Sequence, residues 1–445
     1  MPQPAITSLG AALPLVSALP FVALLLAIAI GPLVAPRWWH SNRNKALVAL
    51  ALSLPIVWYL VPDDVGRVVL AEKAAEYVAF IVVIGALFVI TGAIHIQGSL
   101  SGTPLVNTLL LAIGAVLANV LGTTGASILL IRPLLRANTS RRRKAHIVVF
   151  FIFLVANCGG LLTPIGDPPL LLGFLKGVPF QWTLRLWPQW LTVTLALLLV
   201  FNVWDQAVFG GETERVAAHE PLRIRGAAAI AALLGVLVTI IAAGQAAAVG
   251  HTWPSGVREI VIIALAVTAF AATTREDRER NGFTFGPIVE VAVLFAAIFV
   301  TMAPVLEILN AWSEGARTVL GVRFGVHEPW QFFWSSGALS SVLDNAPTYL
   351  SFAASAAGLA GISPHGAYIG TLAAHAESAR ILVAISTGSV CMGAMTYIGN
   401  APNFMVRAIA EESGVKMPSF FGYMAYSCGI LLPIFVAMTW LFLRK

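Results

Sequence analysis

Windows of about 20 apolar residues recur along the whole chain, at Leu13 to Ala35, Tyr77 to Ile96, Leu191 to Val208 and Ser427 to Leu443, and each is long enough to cross a bilayer. That recurrence constrains the fold more than any other feature. Of the 445 residues, 58% are hydrophobic and 11% charged, whereas soluble domains carry roughly a quarter charged residues. The chain is expected to be an all-α polytopic membrane protein with the lipid bilayer as its partner. The first apolar stretch follows Met1-Pro2-Gln3-Pro4 with no basic residue before it, so it reads as a retained helix rather than a cleaved signal. The formal charge of +6 reports orientation before it reports a nucleic-acid partner, and none is expected. Cys158, Cys391 and Cys428 give neither a disulfide framework nor zinc spacing.

Orientation follows from the basic loops. With Arg37, Arg43 and Lys45 in the cytoplasm, residues 46–61 lead out to Asp63 and Asp64, and residues 77–96 return. The next stretch is apolar over 103–121 and again, briefly, over 124–135, and then meets Arg136 and the basic run Arg141 to Lys144. A single crossing would strand that cluster outside. A re-entrant hairpin over 103–136, turning near Asn119 to Gly125, returns it to the inner side, and its second arm spans only about 20 Å. Crossings follow at 145–177, 184–208, 226–249, 258–273 and 287–309. A second hairpin over 330–357 has a polar tip at Ser341 to Pro347, and crossings at 379–410 and 420–443 complete the chain. About ten crossings and two hairpins result, with both termini outside an inner (cytoplasmic) membrane. On this reading 17 of the 27 Lys and Arg face inward.

The chain also repeats itself. Cys158-Gly-Gly-Leu-Leu-Thr-Pro-Ile-Gly-Asp-Pro-Pro169 aligns with Cys391-Met-Gly-Ala-Met-Thr-Tyr-Ile-Gly-Asn-Ala-Pro402, identical at six of twelve positions. Each copy follows a hairpin tip, Val120 to Gly125 or Val342 to Pro347. Five crossings and one hairpin per half make the second copy inverted, as in many secondary transporters. The expected division is residues 1–209, a cytoplasmic linker at 210–225, and residues 226–445.

The repeated segment cannot stay helical. Gly160, Pro164 and Gly166 in the first copy, and Gly399 and Pro402 in the second, break it, since proline lacks the N–H and glycine costs about 1 kcal/mol. Unpaired backbone in hydrocarbon must be covered by protein or a watery cavity, so two breaks facing two tips imply an enclosed polar site. A simple proline kink explains neither the repetition nor the polar neighbours.

Asp167 in the first break and Asp344 in the second tip are the prime candidates, because an aspartate at mid-membrane depth costs about 2.5 to 3.5 kcal/mol. Neither break nor tip contains Lys or Arg, which favours a bound cation or proton over a structural ion pair. Removal from water penalises the charged carboxylate, so one oxygen can exchange H⁺ for a metal cation. Oxygens of Asn119, Thr123, Thr124, Asn157, Thr163, Asn345, Thr348, Thr396 and Asn400 would supply the hard shell a small alkali cation prefers; each is as often a helix cap. Glu290, Glu307, His95, His375 and Glu377 read as interhelical or interface residues, and Arg132 and Lys176 as markers of helix ends at the interfaces. An intramembrane enzyme needs a nucleophile with its base, or a metal pair, and these amides, hydroxyls and isolated carboxylates offer neither. A channel fits the helix breaks less well than a transporter.

At Val120 to Gly125, Asn157 to Pro169, Ser340 to Thr348 and Gly393 to Pro402 the chain resembles the ion transporter superfamily, in particular the NhaD-type sodium/proton antiporters and the related citrate transporter family (CitMHS-like). The resemblance implies a homodimer of scaffold and transport domains working as an elevator, with no cofactor besides the transported Na⁺ and H⁺. Dicarboxylate members carry Ser-Asn-Thr at both tips, where this chain has Gly-Thr-Thr and Asp-Asn-Ala. The expected function is therefore Na⁺(Li⁺)/H⁺ antiport with Na⁺ at Asp167 and Asp344. Sodium-coupled transport of citrate, a dicarboxylate or another small oxyanion is the alternative.

Overall fold

The computed structural model describes residues 9–210, 220–248, 251, 253–274, 278 and 283–444. The expected linker at 210–225 falls largely outside the described residues, as does the side chain of His95. The apolar windows form helices: α1 Leu19–Val34, α2 Asn42–Leu60, α3 Asp64–Gly92, α4 Pro104–Ala137, α5 Ala145–Leu154, α6 Pro168–Leu175, α7 Trp187–Phe209, α8 Ala227–Ala248 and α9 Val257–Ala272. They continue as α10 Gly286–Glu314, α11 Pro329–Ser340, α12 Asn345–Leu359, α13 Tyr368–Ala374, α14 Ala376–Cys391, α15 Ala401–Glu412 and α16 Phe420–Met438. Among the described residues nine spans are long and apolar enough to cross a membrane. The expected crossing at 46–61, in α2, is not one of them, nor is that at 258–273. The helix of the latter, α9, has 16 residues, about 24 Å against a hydrocarbon core of about 30 Å.

Among the described residues the regular structure is helical apart from one antiparallel ribbon, β1 His95–Ser99 with β2 Glu220–Arg225, whose backbone register pairs position 95 with 225 and 97 with 223. The expected crossing at 77–96 thus ends as a helix at Gly92 and continues as strand.

The chain packs into two units. The first comprises residues 1–81, 172–178 and 284–389, the second residues 82–171, 179–283 and 390–445.

In the first unit, aromatic rings lock α3 to α10. Phe80 stacks on Phe295 at 4.8 Å between centroids, and the Tyr77 hydroxyl donates to the Ala292 carbonyl at 3.0 Å. Lys45 pairs with Glu290 at 2.7 Å. Helix α11 starts at Pro329 behind a capping box of Glu328 and Gln331, which satisfies two otherwise orphaned amides. It runs beside α12, with Phe332 and Phe352 6.3 Å apart, and Asp344 lies at the bend between them.

In the second unit, α4 folds back on itself at Gly122, where φ is +75° and ψ is 156°, a backbone state open to glycine and costly for other residues. Asn107 and Asn138, 31 positions apart, exchange amide hydrogen bonds of 3.0 and 2.7 Å, whereas one straight helix would separate them by about 46 Å. The same root is held by the fully buried Asp205 of α7. It accepts from Asn107 at 3.0 Å, meets the His146 ring nitrogen at 2.9 Å and pairs with Arg141 at 2.7 Å.

Candidate functional site

The two breaks lie in the second unit and share one local conformation. After α5 comes a tight 3₁₀ turn, Cys158–Leu162, and after α14 another, Met392–Met395. Each ends on an extended threonine, Thr163 (φ −135°, ψ 155°) and Thr396 (φ −135°, ψ 168°). The Thr163 hydroxyl accepts from the amide of Gly166 at 3.1 Å, and the Thr396 hydroxyl from that of Gly399 at 3.2 Å. Such side-chain turns compete with the helix for backbone amides, and the prolines that follow cannot donate. The glycines are needed for close approach. A Cβ on Gly166 would sit 2.1 Å from the Gly160 carbonyl oxygen, and one on Gly160 2.6 Å from Thr123 Cγ2.

Breaking a helix frees carbonyls, and here side chains from flanking elements take them up. In the first break the Gly159 carbonyl accepts from Asn119 Nδ2 at 2.7 Å and from Trp190 Nε1 at 2.9 Å, and the Leu162 carbonyl accepts from Thr183 at 2.8 Å. In the second break Tyr423 donates to the Ala394 carbonyl at 2.8 Å and Ser427 to the Met395 carbonyl at 2.6 Å. Buried backbone polar groups left unpaired are costly, so α7 and α16 act as braces for the unwound segments.

The turn of α4 is sewn into the first break. Asn119 Oδ1 accepts from the Leu162 amide at 2.8 Å, and the Thr163 hydroxyl donates to the Asn119 carbonyl at 2.5 Å. The Thr123 amide donates to the Gly166 carbonyl at 2.8 Å. Thr124 is placed on the same turn.

At the centre lies Asp167, 1% exposed. Its Oδ1 accepts from the Thr123 hydroxyl at 2.8 Å and from Asn400 Nδ2 at 3.3 Å, while its main-chain carbonyl caps the start of α6 by accepting from Leu170 and Leu171. Carboxylates are favoured at such helix N-termini. Asn400 Nδ2 also reaches Asn157 Oδ1 at 3.2 Å, and Asn157 Nδ2 donates to Asn403 Oδ1 at 2.6 Å. Asn403 anchors this chain by donating to the carbonyls of Gly393 at 2.8 Å and Thr396 at 2.9 Å. Cys158 and Cys391, equivalent in the repeat, also touch, Sγ of Cys158 lying 3.8 Å from the Cys391 carbonyl oxygen. Chemically this is a buried carboxylate among hydroxyl and amide groups, able to hold a proton or a small hard cation.

Of the residues singled out from the sequence, Asn119, Thr123, Asn157, Thr163, Asp167, Thr396 and Asn400 thus share one bonded network. Asn403, Trp190, Thr183, Tyr423 and Ser427 were missed; the one signal for Asn403 is its place three residues after Asn400, on the first turn of α15.

Asp344, Asn345 and Thr348 belong to the first unit. Asp344 caps α12: its side chain accepts from the Ala346 amide at 3.1 Å, and its carbonyl accepts from the Thr348 hydroxyl at 3.0 Å. Asn345 is buried at the start of that helix. Nearby in this unit, Ser340 donates to the Ser389 carbonyl at 2.6 Å. Lys176, expected at an interface, is instead buried with its ammonium 2.5 Å from Glu76 Oε1.

Residues 10–443 match the family model described as "Putative citrate transport". No curated protein matches the chain.

Proposed function

We propose, from the premise that the chain belongs to the putative citrate transport family and is a membrane transporter, that it exchanges Na⁺ or Li⁺ for H⁺. One observation carries this reading: a fully buried carboxylate, Asp167, sits where two broken helices and a helical turn converge, received by the Thr123 hydroxyl and the Asn400 amide. Burying an anion with neutral donors is costly unless a proton or cation accompanies it. Loading one oxygen alternately with H⁺ and Na⁺ couples their fluxes. Asp344, capping a helix in the other unit, is the second coupling carboxylate. The chain works as a homodimer in an inner membrane, and an elevator motion of the broken-helix elements provides alternating access.

A second reading, sodium-coupled transport of citrate, a dicarboxylate or another small oxyanion, is equally compatible with the family description. Helix N-termini attract anions, yet an ionised Asp167 repels a carboxylate substrate unless a cation sits between them. Purified protein in proteoliposomes separates the two. A Na⁺ or Li⁺ gradient that moves protons in the absence of citrate supports antiport. Citrate uptake without cation-driven proton movement supports the second reading and removes the first.

A further inference from the structure

A further cluster of titratable groups lies in the first unit. The segment 360–367 joins α12 to α13 and carries His365. His365 Nδ1 lies 3.1 Å from Glu72 Oε2 of α3, and the neighbouring Gly366 amide donates to the other oxygen, Glu72 Oε1, at 2.7 Å. On the opposite side of the ring, Nε2 lies 3.2 Å from Glu307 Oε1 of α10, an ion-pair distance off the ideal hydrogen-bond line. Glu307 is buried, and the His365 side chain is 16% exposed.

Both ring nitrogens therefore face carboxylate oxygens. A neutral imidazole has one N–H and one lone pair, so one of the two contacts would set lone pair against anion; the imidazolium presents an N–H on both sides. The surrounding charges lead to the same state. Lys176 Nζ is 2.5 Å from Glu76 and 3.7 Å from Glu72, and it stands over the Tyr368 ring of α13 at 4.9 Å. Lys73 Nζ is 3.2 Å from Glu76. Glu72, Glu76 and Glu307 are balanced by Lys73, Lys176 and His365 while the imidazole is charged; loss of its proton leaves an unbalanced anion in a largely buried place.

Two glycines bound the segment. Gly361 and Gly366 adopt left-handed backbone with φ of +65° and +58°, bracketing His365 with residues of wide conformational range. Its first half is pinned, because Asn310 Nδ2 donates to the Ile362 carbonyl at 2.9 Å, and its second half is held through Glu72 and Glu307.

We propose that His365, Glu72 and Glu307 form a second proton-binding site, made of residues other than Asp167 and Asp344, whose occupancy latches segment 363–366 onto α3 and α10 and whose deprotonation releases it. Burial alone would lower the proton affinity of His365, but the carboxylates of Glu307 and Glu72 outweigh it and hold the ring at about 9. The latch is closed through neutral pH and opens in the alkaline range. It is independent of which solute is carried.

The test uses the full chain in lipid nanodiscs with ¹⁵N-labelled histidine, the His365 signal being assigned by its loss in His365→Gln. The ring is expected to titrate near 9, and exchange of the 363–366 amides, corrected for intrinsic pH dependence, to rise with the same midpoint. Glu307→Gln should lower the midpoint by about one unit or more, a tenfold loss of proton affinity. Should that variant not fold, Glu72→Gln carries the same expectation. In His365→Gln the segment should exchange fast at every pH. Titration at the ordinary histidine value of 6.5, or segment protection that is unchanged across the titration or in His365→Gln, overturns the proposal.

Discussion

Asp167 and Asn400 hold equivalent places in the two helix breaks and meet each other, Asn400 Nδ2 donating to Asp167 Oδ1 at 3.3 Å. The amide thus stands where the repeat would otherwise put a second carboxylate, and two ionised aspartates at that distance would repel strongly in a low dielectric. The pairing explains why one copy of the motif reads Asp and the other Asn.

Replacing Asn400 tests that pairing. Asn400→Ala removes the two N–H donors shared among Asp167 Oδ1, Asn157 Oδ1 and the Ala156 carbonyl, at about 1 kcal/mol per donor. Thermal unfolding in detergent should show a clear drop. Asn400→Asp should be more damaging than Asn400→Ala in the same assay at neutral pH, and the gap should shrink on acidification as the added carboxyl takes up a proton. Equal stabilities at every pH would contradict the pairing.

The glycines of the first break should tolerate nothing larger. Gly166→Ala forces a methyl to within 2.1 Å of the Gly160 carbonyl oxygen, which the break cannot relieve without unpacking. Loss of monodisperse protein on size-exclusion chromatography is expected. Gly429→Ala, where an added Cβ would meet nothing within 4 Å among the described residues, should behave as wild type.

Bracing residues should act on stability before chemistry. Tyr423→Phe leaves the Ala394 carbonyl without its 2.8 Å donor, a loss of about 1 to 3 kcal/mol. Its transport rate per folded molecule should stay within about threefold of wild type, since a brace makes no contact with the coupling carboxylate; a total loss of transport in well-folded protein would assign Tyr423 a direct role instead.

The root of the α4 turn depends on a single acid. Asp205→Asn leaves Arg141 and His146 without their shared carboxylate, and breaking a buried pair from one side costs about 3 to 5 kcal/mol. It should lower the melting temperature more than Asn107→Ala, which removes the bonds to Asn138 and one donor to Asp205 but leaves Asp205 paired with Arg141 and His146. The reverse order would show that the charge contributes little there.

Stability should also depend on pH through His365. Its folded value of about 9 lies above the ordinary 6.5, because the carboxylates of Glu307 and Glu72 outweigh the opposing effect of burial. The bridge therefore contributes fully below about pH 6.5 and progressively less as pH rises through 9. The difference in melting temperature between wild type and His365→Gln should be largest in mild acid and vanish above about pH 9.

The helical membrane class was legible in the apolar windows, because hydrocarbon permits few other structures. The breaks were legible in Gly160, Pro164 and Gly166, whose backbone chemistry forbids an ordinary helix. The turn of α4 at Gly122 lies within residues 119–125, where the sequence places a turn. What stayed hidden depends on distant partners. Trp190, Thr183, Tyr423 and Ser427 look like ordinary interface or helix residues until the carbonyls they cap are in place. Lys176 reads as a snorkelling helix end, since nothing in sequence brings it to Glu76, 100 positions away. The ribbon of β1 and β2 was hidden because its strands are short, lie far apart in the chain and flank apolar helices.

Cation-driven proton movement by Asp167→Asn tests the central claim most directly. The amide is nearly the size of the carboxylate and can still accept from Thr123 and Asn400, so the protein should fold and melt close to wild type. In proteoliposomes carrying an internal pH dye, a Na⁺ or Li⁺ gradient should move protons through the wild type and not through Asp167→Asn. Undiminished proton movement in that variant would contradict the account.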